Sequence, residues 1–419
     1  MQYDAIIAGG GAAGCSAAYN LSNNGFKVLL VEKNSYLGGQ MTAGLVTPMM
    51  KSSENSINNK FYDLVLEKLN AIGGQYTYPV NNNKGWFNPI LMRIVLDDIL
   101  IKSGVKVLFN SEIHDIKTDN NMIKSVQVRS NILSEYIETK YVVDATGNSE
   151  IFKKLNCNFL EENETQPCSL RFIMSGIDMN VFSKWLSDTD KDTNVTTVIQ
   201  ADKQIHLSTA YTWDTDKHWA LKPLFDDAAS KNVLKLSDTN YFQIFTIPNM
   251  FDSVAFNAPR IILNKDFNDI DYTSDALIEG RKSILRLAEF CKIYFPGFEN
   301  AYISNIADCL GVRVSKRPKG KYIYNVDDIL KNKKFKNKAV VSDYPIDVHS
   351  AKQDKSVLKQ VSRDYELPVE SLVSANFDNL FMAGRNLSAD FLSQGAFRII
   401  PSCFSMGEAL ANYILSLSK

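Results

Sequence analysis

Residues 3–14 read Tyr3-Asp4-Ala5-Ile6-Ile7-Ala8-Gly9-Gly10-Gly11-Ala12-Ala13-Gly14. The first six residues suit a short buried strand, and the rest follow at once in a G-x-G-x-x-G pattern. A small-residue helix is expected next, because Ala13, Ala17, Ala18 and Leu21 can lie close on a sheet. Asn23-Asn24-Gly25 ends that helix, Lys27–Val31 forms a second strand, and Glu32 closes it. Each part answers a need of a bound dinucleotide. Gly9 permits the tight turn, Gly11 lets the backbone approach a pyrophosphate, and Gly14 lets the helix sit against the strand. The phosphates meet bare N–H groups at a helix N-terminus, and Glu32 can accept hydrogen bonds from a ribose.

The rest of the chain is compatible with such an enzyme. Its 419 residues are 45% hydrophobic and 22% charged, which predicts a sizeable core and two domains and excludes disordered or collagen-like classes. A formal charge of −1 gives no global field toward nucleic acid or an anionic membrane. The N-terminal apolar run lacks a basic leader and is broken by glycines, and no later run reaches membrane-span length, so neither a signal peptide nor a membrane span is expected and the cytoplasm is the expected compartment. Cys15, Cys157, Cys168, Cys291, Cys309 and Cys403 form no C-x-x-C pair. They read as reduced thiols, with no metal site.

Immediately after Glu32 runs Lys33-Asn34-Ser35-Tyr36-Leu37-Gly38-Gly39-Gln40-Met41-Thr42-Ala43-Gly44. With its double glycine this segment resembles the second loop of the glutathione-reductase-type FAD superfamily. The resemblance implies FAD as cofactor, with Gly9, Gly11, Ala12, Ala13, Gly14, Glu32, Lys33, Gly38, Gly39 and Gln40 along it. Phe87-Asn88-Pro89 introduces a helix over Ile90–Ser103, followed by a strand over Val105–Phe109. A further strand, Tyr141–Asp144, runs into Ala145-Thr146-Gly147, which resembles that superfamily's A-T-G turn beside the cofactor.

A molecule as long as FAD needs a second grip far from its pyrophosphate. Leu380-Phe381-Met382-Ala383-Gly384-Arg385 suits a strand end near the ribityl chain, with Gly384 and Arg385 as contacts. Pro401 is placed to open a terminal helix through Phe404, Met406, Leu410, Tyr413 and Ile414. Its N-terminus, at Pro401, Ser402 and Cys403, can face the flavin N1/O2 edge, where a helix dipole stabilises negative charge by roughly 0.3 to 1 kcal/mol. Together with the Leu310–Gly320 segment, these elements resemble the bacterial FAD-dependent oxidoreductase family, distantly related to the fumarate reductase and succinate dehydrogenase flavoproteins. That resemblance implies an α/β, Rossmann-like FAD-binding domain of the glutathione-reductase type, over 1–155 and 305–419, with an inserted α+β substrate domain over 156–304. The insert carries strand-like stretches such as Tyr241–Ile247 and a helix from Asp275 to Phe295, stopped by Pro296-Gly297.

The expected activity is transfer of a hydride between flavin and a small organic substrate, carboxylated in one class of candidates. The alternative is a non-redox hydratase, cyclase or isomerase that uses FAD structurally or electrostatically. No second G-x-G-x-x-G is present, so electrons come from the substrate, a transient nicotinamide or another redox protein. Such chemistry needs a cation for an anionic group and a proton carrier. Arg398, just before the terminal helix, is the first cation candidate, because in the resembled reductases an arginine in a comparable place meets the substrate carboxylate. Arg313 is a second. It and Arg317 sit near a strand–loop junction, where surface ion pairs are the commoner role. His349, in Asp347-Val348-His349, is the acid–base candidate, as the Asp-x-His element resembles the family's loop near the isoalloxazine. His114, His206 and His218 have no such context. Cys403, at a helix start, could carry a lowered thiol pKa, although small buried packing is the simpler reading.

Overall fold

The computed structural model describes residues 2–161, 164–201, 203–211, 219–263, 269–349, 356–359, 361 and 363–418. His218 lies outside the described residues.

Gln2–Ala8 and Val28–Val31 pair in parallel, joined by the helix Ala12–Asn23. Lys106–Leu108 adds to one side, and Ser134–Asp144 and then Leu380–Met382 to the other, all parallel. The run of Ala, Ile, Leu and Val at Ala5–Ala8 and Val28–Val31 is buried throughout, as a central parallel strand covered on both faces requires. Ser134–Asp144 also continues an antiparallel meander with Met122–Ser130 and Ser111–Asp119. The registers Ala8↔Val31, Ala8↔Asp144 and Met382↔Asp144 bring four strands to a common carboxyl edge. Ligands of open α/β sheets bind at such an edge. Gly9, Glu32, Ala145 and Ala383, widely spaced in sequence, therefore begin their loops side by side.

A second, antiparallel sheet runs in the order Thr196–Ala201, Gln204–Tyr211, Phe242–Ile247, Met250–Phe256, Phe172–Ser175, Tyr302–Ile306. Its core is aromatic. Phe172 stacks on Phe256 at 4.2 Å, and Phe182, Phe225, Phe242, Phe290 and Phe295 are fully buried. The long helix Tyr272–Tyr294 packs here through Ala276, Gly280, Ile284 and Leu287. Among the described residues no helix is long and apolar enough to cross a membrane.

Element boundaries move by a few residues from the expected ones. The helix after Asn88 spans Pro89–Lys102, and the Asn88 side chain caps it by accepting from the Ile90 and Leu91 N–H groups. The terminal helix spans Ile400–Leu417, with Ile400 rather than Pro401 as its first residue. Proline fits the second position for the same reason as the first, since neither needs an intrahelical N–H bond.

Asp144 ends its strand inside the protein with no solvent exposure. Its carboxylate accepts from the Thr146 N–H at 3.1 Å, the Thr146 hydroxyl at 2.6 Å and the Ile151 N–H at 2.9 Å, which shapes the Ala145-Thr146-Gly147 turn. Asp144→Asn puts an N–H₂ donor where an acceptor is needed, and is expected to cost about 1–3 kcal/mol. An unchanged melting temperature would show that the turn does not depend on this carboxylate.

Candidate cofactor cradle and active site

The helix Ala12–Asn23 starts at Gly11 without a side-chain cap, so its first N–H groups are left for a ligand. A Cβ built on Gly11 meets nothing within 4 Å, whereas one on Gly14 falls 1.9 Å from the Gly9 carbonyl oxygen. The second glycine thus borders open space and the third a tight packing contact, the two different tasks read from the sequence. Gly9, at φ +96°, packs its α-carbon side against the Ala145 carbonyl and Thr146.

Glu32 turns inward. Its carboxylate accepts from the Gly10 N–H at 2.6 Å and from the Asn34 N–H and side chain at 2.8 and 2.7 Å, so it braces the glycine turn against the following loop. Lys33 beside it is exposed. Gly38 and Gly39 both have positive φ, and Gly39 passes so close to the Gly11 α-carbon that a Cβ would stand 3.0 Å away. Gln40 donates to the Leu310 carbonyl at 3.3 Å, tying this second loop to the Leu310–Gly320 segment.

From the far end of the chain, Gly384, at φ +106°, faces Ala13, its built Cβ 3.6 Å from the Ala13 methyl. Arg385 donates to the Gly147 carbonyl at 2.9 Å, to the Val312 carbonyl and to the Asn148 side chain at 2.5 Å. It therefore clamps three loops together. The terminal helix crosses the first at glycine: a Cβ on Gly407 would lie 2.2 Å from the Ala13 carbonyl, and the Ser16 hydroxyl donates to the Phe404 carbonyl at 2.7 Å. That crossing sets the uncapped start of the terminal helix, with Pro401, Ser402 and Cys403, near the glycine turn. Cys403 is not activated by this position, because burial pushes its thiol up to about 12. The open ground at Gly11, two uncapped helix starts and a paired-glycine loop fit an FAD molecule laid along the sheet edge.

The candidate catalytic residues gather on the other side of these loops. In the strand Ile346–His349, Asp347 and His349 are two apart and share a face. The His349 Nε2 lies 3.2 Å from the Asp347 Oδ1, and Arg398 Nη2 donates to both the Asp347 Oδ2 and its carbonyl at 3.1 Å. Burial alone would raise the Asp347 carboxyl, but His349, Arg398 and Arg313 outweigh it and hold it well below the usual carboxylate range. Burial, then the charge of Arg313, drives the His349 imidazole down to about 4 despite Asp347, so it is neutral near pH 7.

Arg313 donates to the Pro167 carbonyl at 2.7 Å, and Arg317, 3% exposed, donates to the Ala389 carbonyl at 2.9 Å. The surface ion pairs expected of these two arginines are not what forms. Both are drawn inward because the segment threads between the two sheets and its carbonyl neighbours need donors.

Three further residues enter the cluster. Arg171 is 8% exposed and donates to the Thr47 carbonyl at 3.0 Å. Tyr241 meets the His349 ring edge-on at 5.8 Å, its hydroxyl accepting from Asn257 at 2.9 Å. Gln166 accepts from the His349 N–H at 3.0 Å. The only trace of Arg171 in the sequence is a charge inside the apolar run Leu170-Arg171-Phe172-Ile173-Met174, the kind of buried polar residue that asks for a reason.

Comparison with known proteins bears on the cradle. Residues 4–415 match the family described as FAD dependent oxidoreductase. A stretch of 41 residues, 10% of this chain and 5% of the other, is 57% identical to part of the ferredoxin:CoB-CoM heterodisulfide reductase of Methanosarcina acetivorans. Another of 44 residues, 10% of this chain and 16% of the other, is 46% identical to the thiamine thiazole synthase of Aeropyrum pernix. The matches thus span a small part of both curated relatives. Among solved structures, the p-nitrophenol 4-monooxygenase PnpA of Pseudomonas putida DLL-E4 superposes with a TM-score of 0.51 over 99% of this chain and 80% of its own, at 10% identity. That likeness concerns the fold alone.

Proposed function

Since this chain belongs to the FAD dependent oxidoreductase family, we propose that it moves a hydride between FAD and a small organic substrate bearing an anionic group. FAD supplies the hydride acceptor or donor. Arg398 binds the substrate anion, and residues 156–304 wall the substrate's side of the site. The neutral His349 takes a proton from a substrate hydroxyl or amine as the neighbouring C–H is broken, and gives it back in the reverse direction. Asp347, in contact with the imidazole, stabilises the imidazolium that forms. The single observation that supports this reading is the Asp347 carboxylate held between His349 and Arg398 at 3.1–3.2 Å, beside the start of the terminal helix.

The test is anaerobic rapid mixing of the oxidised holoenzyme with hydroxy acids, amino acids and dicarboxylic acids, and with NADH and NADPH, following loss of the flavin colour. Reduction by an organic acid supports the proposal. If none bleaches the flavin, and none is formed from its oxidised partner by the reduced enzyme, the proposal fails; turnover without net redox change would favour the hydratase or isomerase class instead.

The pH profile gives a sharper check. A base whose folded-state pKa lies at about 4 is deprotonated above that value. The reductive rate should therefore stay level from neutral pH down to about pH 5 and halve near pH 4, with FAD still bound. An inflection near the ordinary histidine value, about 6.5, would show that His349 is not the base.

A further inference from the structure

Around Tyr241 and His349 the protein gathers three arginines from distant parts of the chain: Arg171 before the strand Phe172–Ser175, Arg313 after the second sheet, and Arg398 between the last two helices. Burial lowers the Arg313 guanidinium from its usual value, and the charge of Arg398 lowers it further. Burial takes Arg171 down to about 10, with Tyr241 opposing and Arg313 adding to the fall. The three therefore feel one another's charge. Against them stands one carboxylate, Asp347, which pairs with Arg398. Among the described residues neither Arg171 nor Arg313 pairs with a carboxylate, and their donors go to neutral carbonyls. His349 and Tyr241 are neutral near pH 7, one lowered and the other raised chiefly by burial. Three guanidinium groups against one carboxylate leave an excess of two positive charges.

An uncompensated buried charge costs several kcal/mol. Folding gains nothing from accumulating two of them, so a protein keeps such a cluster where a ligand brings the counter-charge. FAD does not bring it here, because its phosphates are assigned to the glycine turn and the oxidised isoalloxazine is uncharged. A second observation agrees. The Arg398 Nε and the Gln166 Nε2 are buried with no hydrogen-bond partner. Gln166 is 3% exposed and uses its oxygen on the His349 backbone, leaving the amide donors free. Unused donors beside surplus cations call for a group that only accepts, as carboxylate and phosphate oxygens do.

We propose that the substrate is an organic dianion, with one anionic group held by Arg398 and Gln166 and the second by Arg171 and Arg313. This rests on the hydride-transfer reading above, but names what that reading leaves open. Two anchors fix a small molecule in both position and direction, which presents one C–H bond to the flavin and one hydroxyl or amine to His349. Dicarboxylates and phosphorylated monoacids share the required chemistry.

The experiment is equilibrium titration of the oxidised holoenzyme, read by perturbation of the flavin spectrum and by equilibrium dialysis, with two matched pairs: lactate against malate, and glycerate against 3-phosphoglycerate. At least one dianion is expected to bind roughly tenfold to a hundredfold more tightly than its monoanion partner. Which pair shows the larger ratio separates carboxylate from phosphate. Arg171→Gln is expected to remove most of that ratio while leaving the monoanion affinity within about twofold, because the lost anchor serves only the second group. Arg171→Lys, which keeps the charge without the planar fork, should fall between. If Arg171→Gln does not fold, the wild-type salt dependence decides, since dianion affinity must fall more steeply with ionic strength. Equal binding within both pairs, no binding by either dianion, or equal salt slopes overturns the proposal. A dianion that binds as expected but never reduces the flavin would sink the hydride-transfer reading and leave the dianion site intact.

Discussion

Arg398→Ala is expected to slow the reductive half-reaction by roughly a hundredfold or more while the protein stays yellow, because losing a fixed cation at a reacting centre forfeits both positioning and charge stabilisation. Arg398 serves two partners. It is the proposed anchor for the substrate anion, and it holds Asp347 through the carboxylate and the carbonyl at 3.1 Å. Without it, His349 loses one of the cations that keep its imidazole neutral, although burial and Arg313 remain. The rate should therefore fall, and the pH at which the remaining activity halves should rise above about 4. A structural residue would move neither the pH profile nor the ratio of substrate affinity to rate. Arg398→Lys restores charge without the two-pronged geometry and should recover part of the loss. An unchanged rate of flavin reduction in Arg398→Ala would remove this residue from the site.

The cofactor end of the molecule is legible in the sequence because its demands are local. Gly9, Gly11 and Gly14 stand within one turn, and what each must do follows from the geometry of a helix meeting phosphate. The structure divides these tasks in the same way, with a Cβ on Gly14 blocked and one on Gly11 unopposed. Glu32 is different. An acid at the end of a second strand is expected to face a ribose, yet its oxygens brace the Gly10 and Asn34 N–H groups, so its part in shaping the turn is visible apart from any ligand. Arg385 likewise spends its donors on Gly147, Val312 and Asn148.

The substrate end is legible only where one segment carries a pair. Asp347 and His349 lie two apart on one strand, so their shared face follows from sequence. Arg171 and Tyr241 lie more than a hundred residues from both His349 and Arg398, and only the folding of one sheet against the other brings them near. Arg313 and Arg317 mislead for the same reason. A charge at a strand–loop junction looks exposed until another sheet covers it.

The largest effect on cofactor binding is expected at the glycine turn, where two single methyl groups should fail in different ways. In Gly14→Ala the new methyl would stand 1.9 Å from the Gly9 carbonyl oxygen and 3.2 Å from the Ala145 methyl, both part of the sheet edge. The helix must move off the sheet, and overpacking of that kind costs about 1–3 kcal/mol. The first-turn N–H groups of Ala12 and Ala13 move with it, so FAD is lost and with it the stabilisation that any tightly bound ligand gives the folded state. The purified variant should be colourless and melt below wild-type apoprotein. Gly11→Ala meets no protein atom within 4 Å and keeps an ordinary φ of −74°. Its apoprotein should melt at the wild-type temperature, yet it too should fail to take up FAD, because the methyl fills the ground where the phosphates come closest. The contrast separates damage to the fold from damage to the cradle. Should Gly11→Ala carry a full complement of FAD, the pyrophosphate does not lie on this turn, whatever Gly14→Ala does.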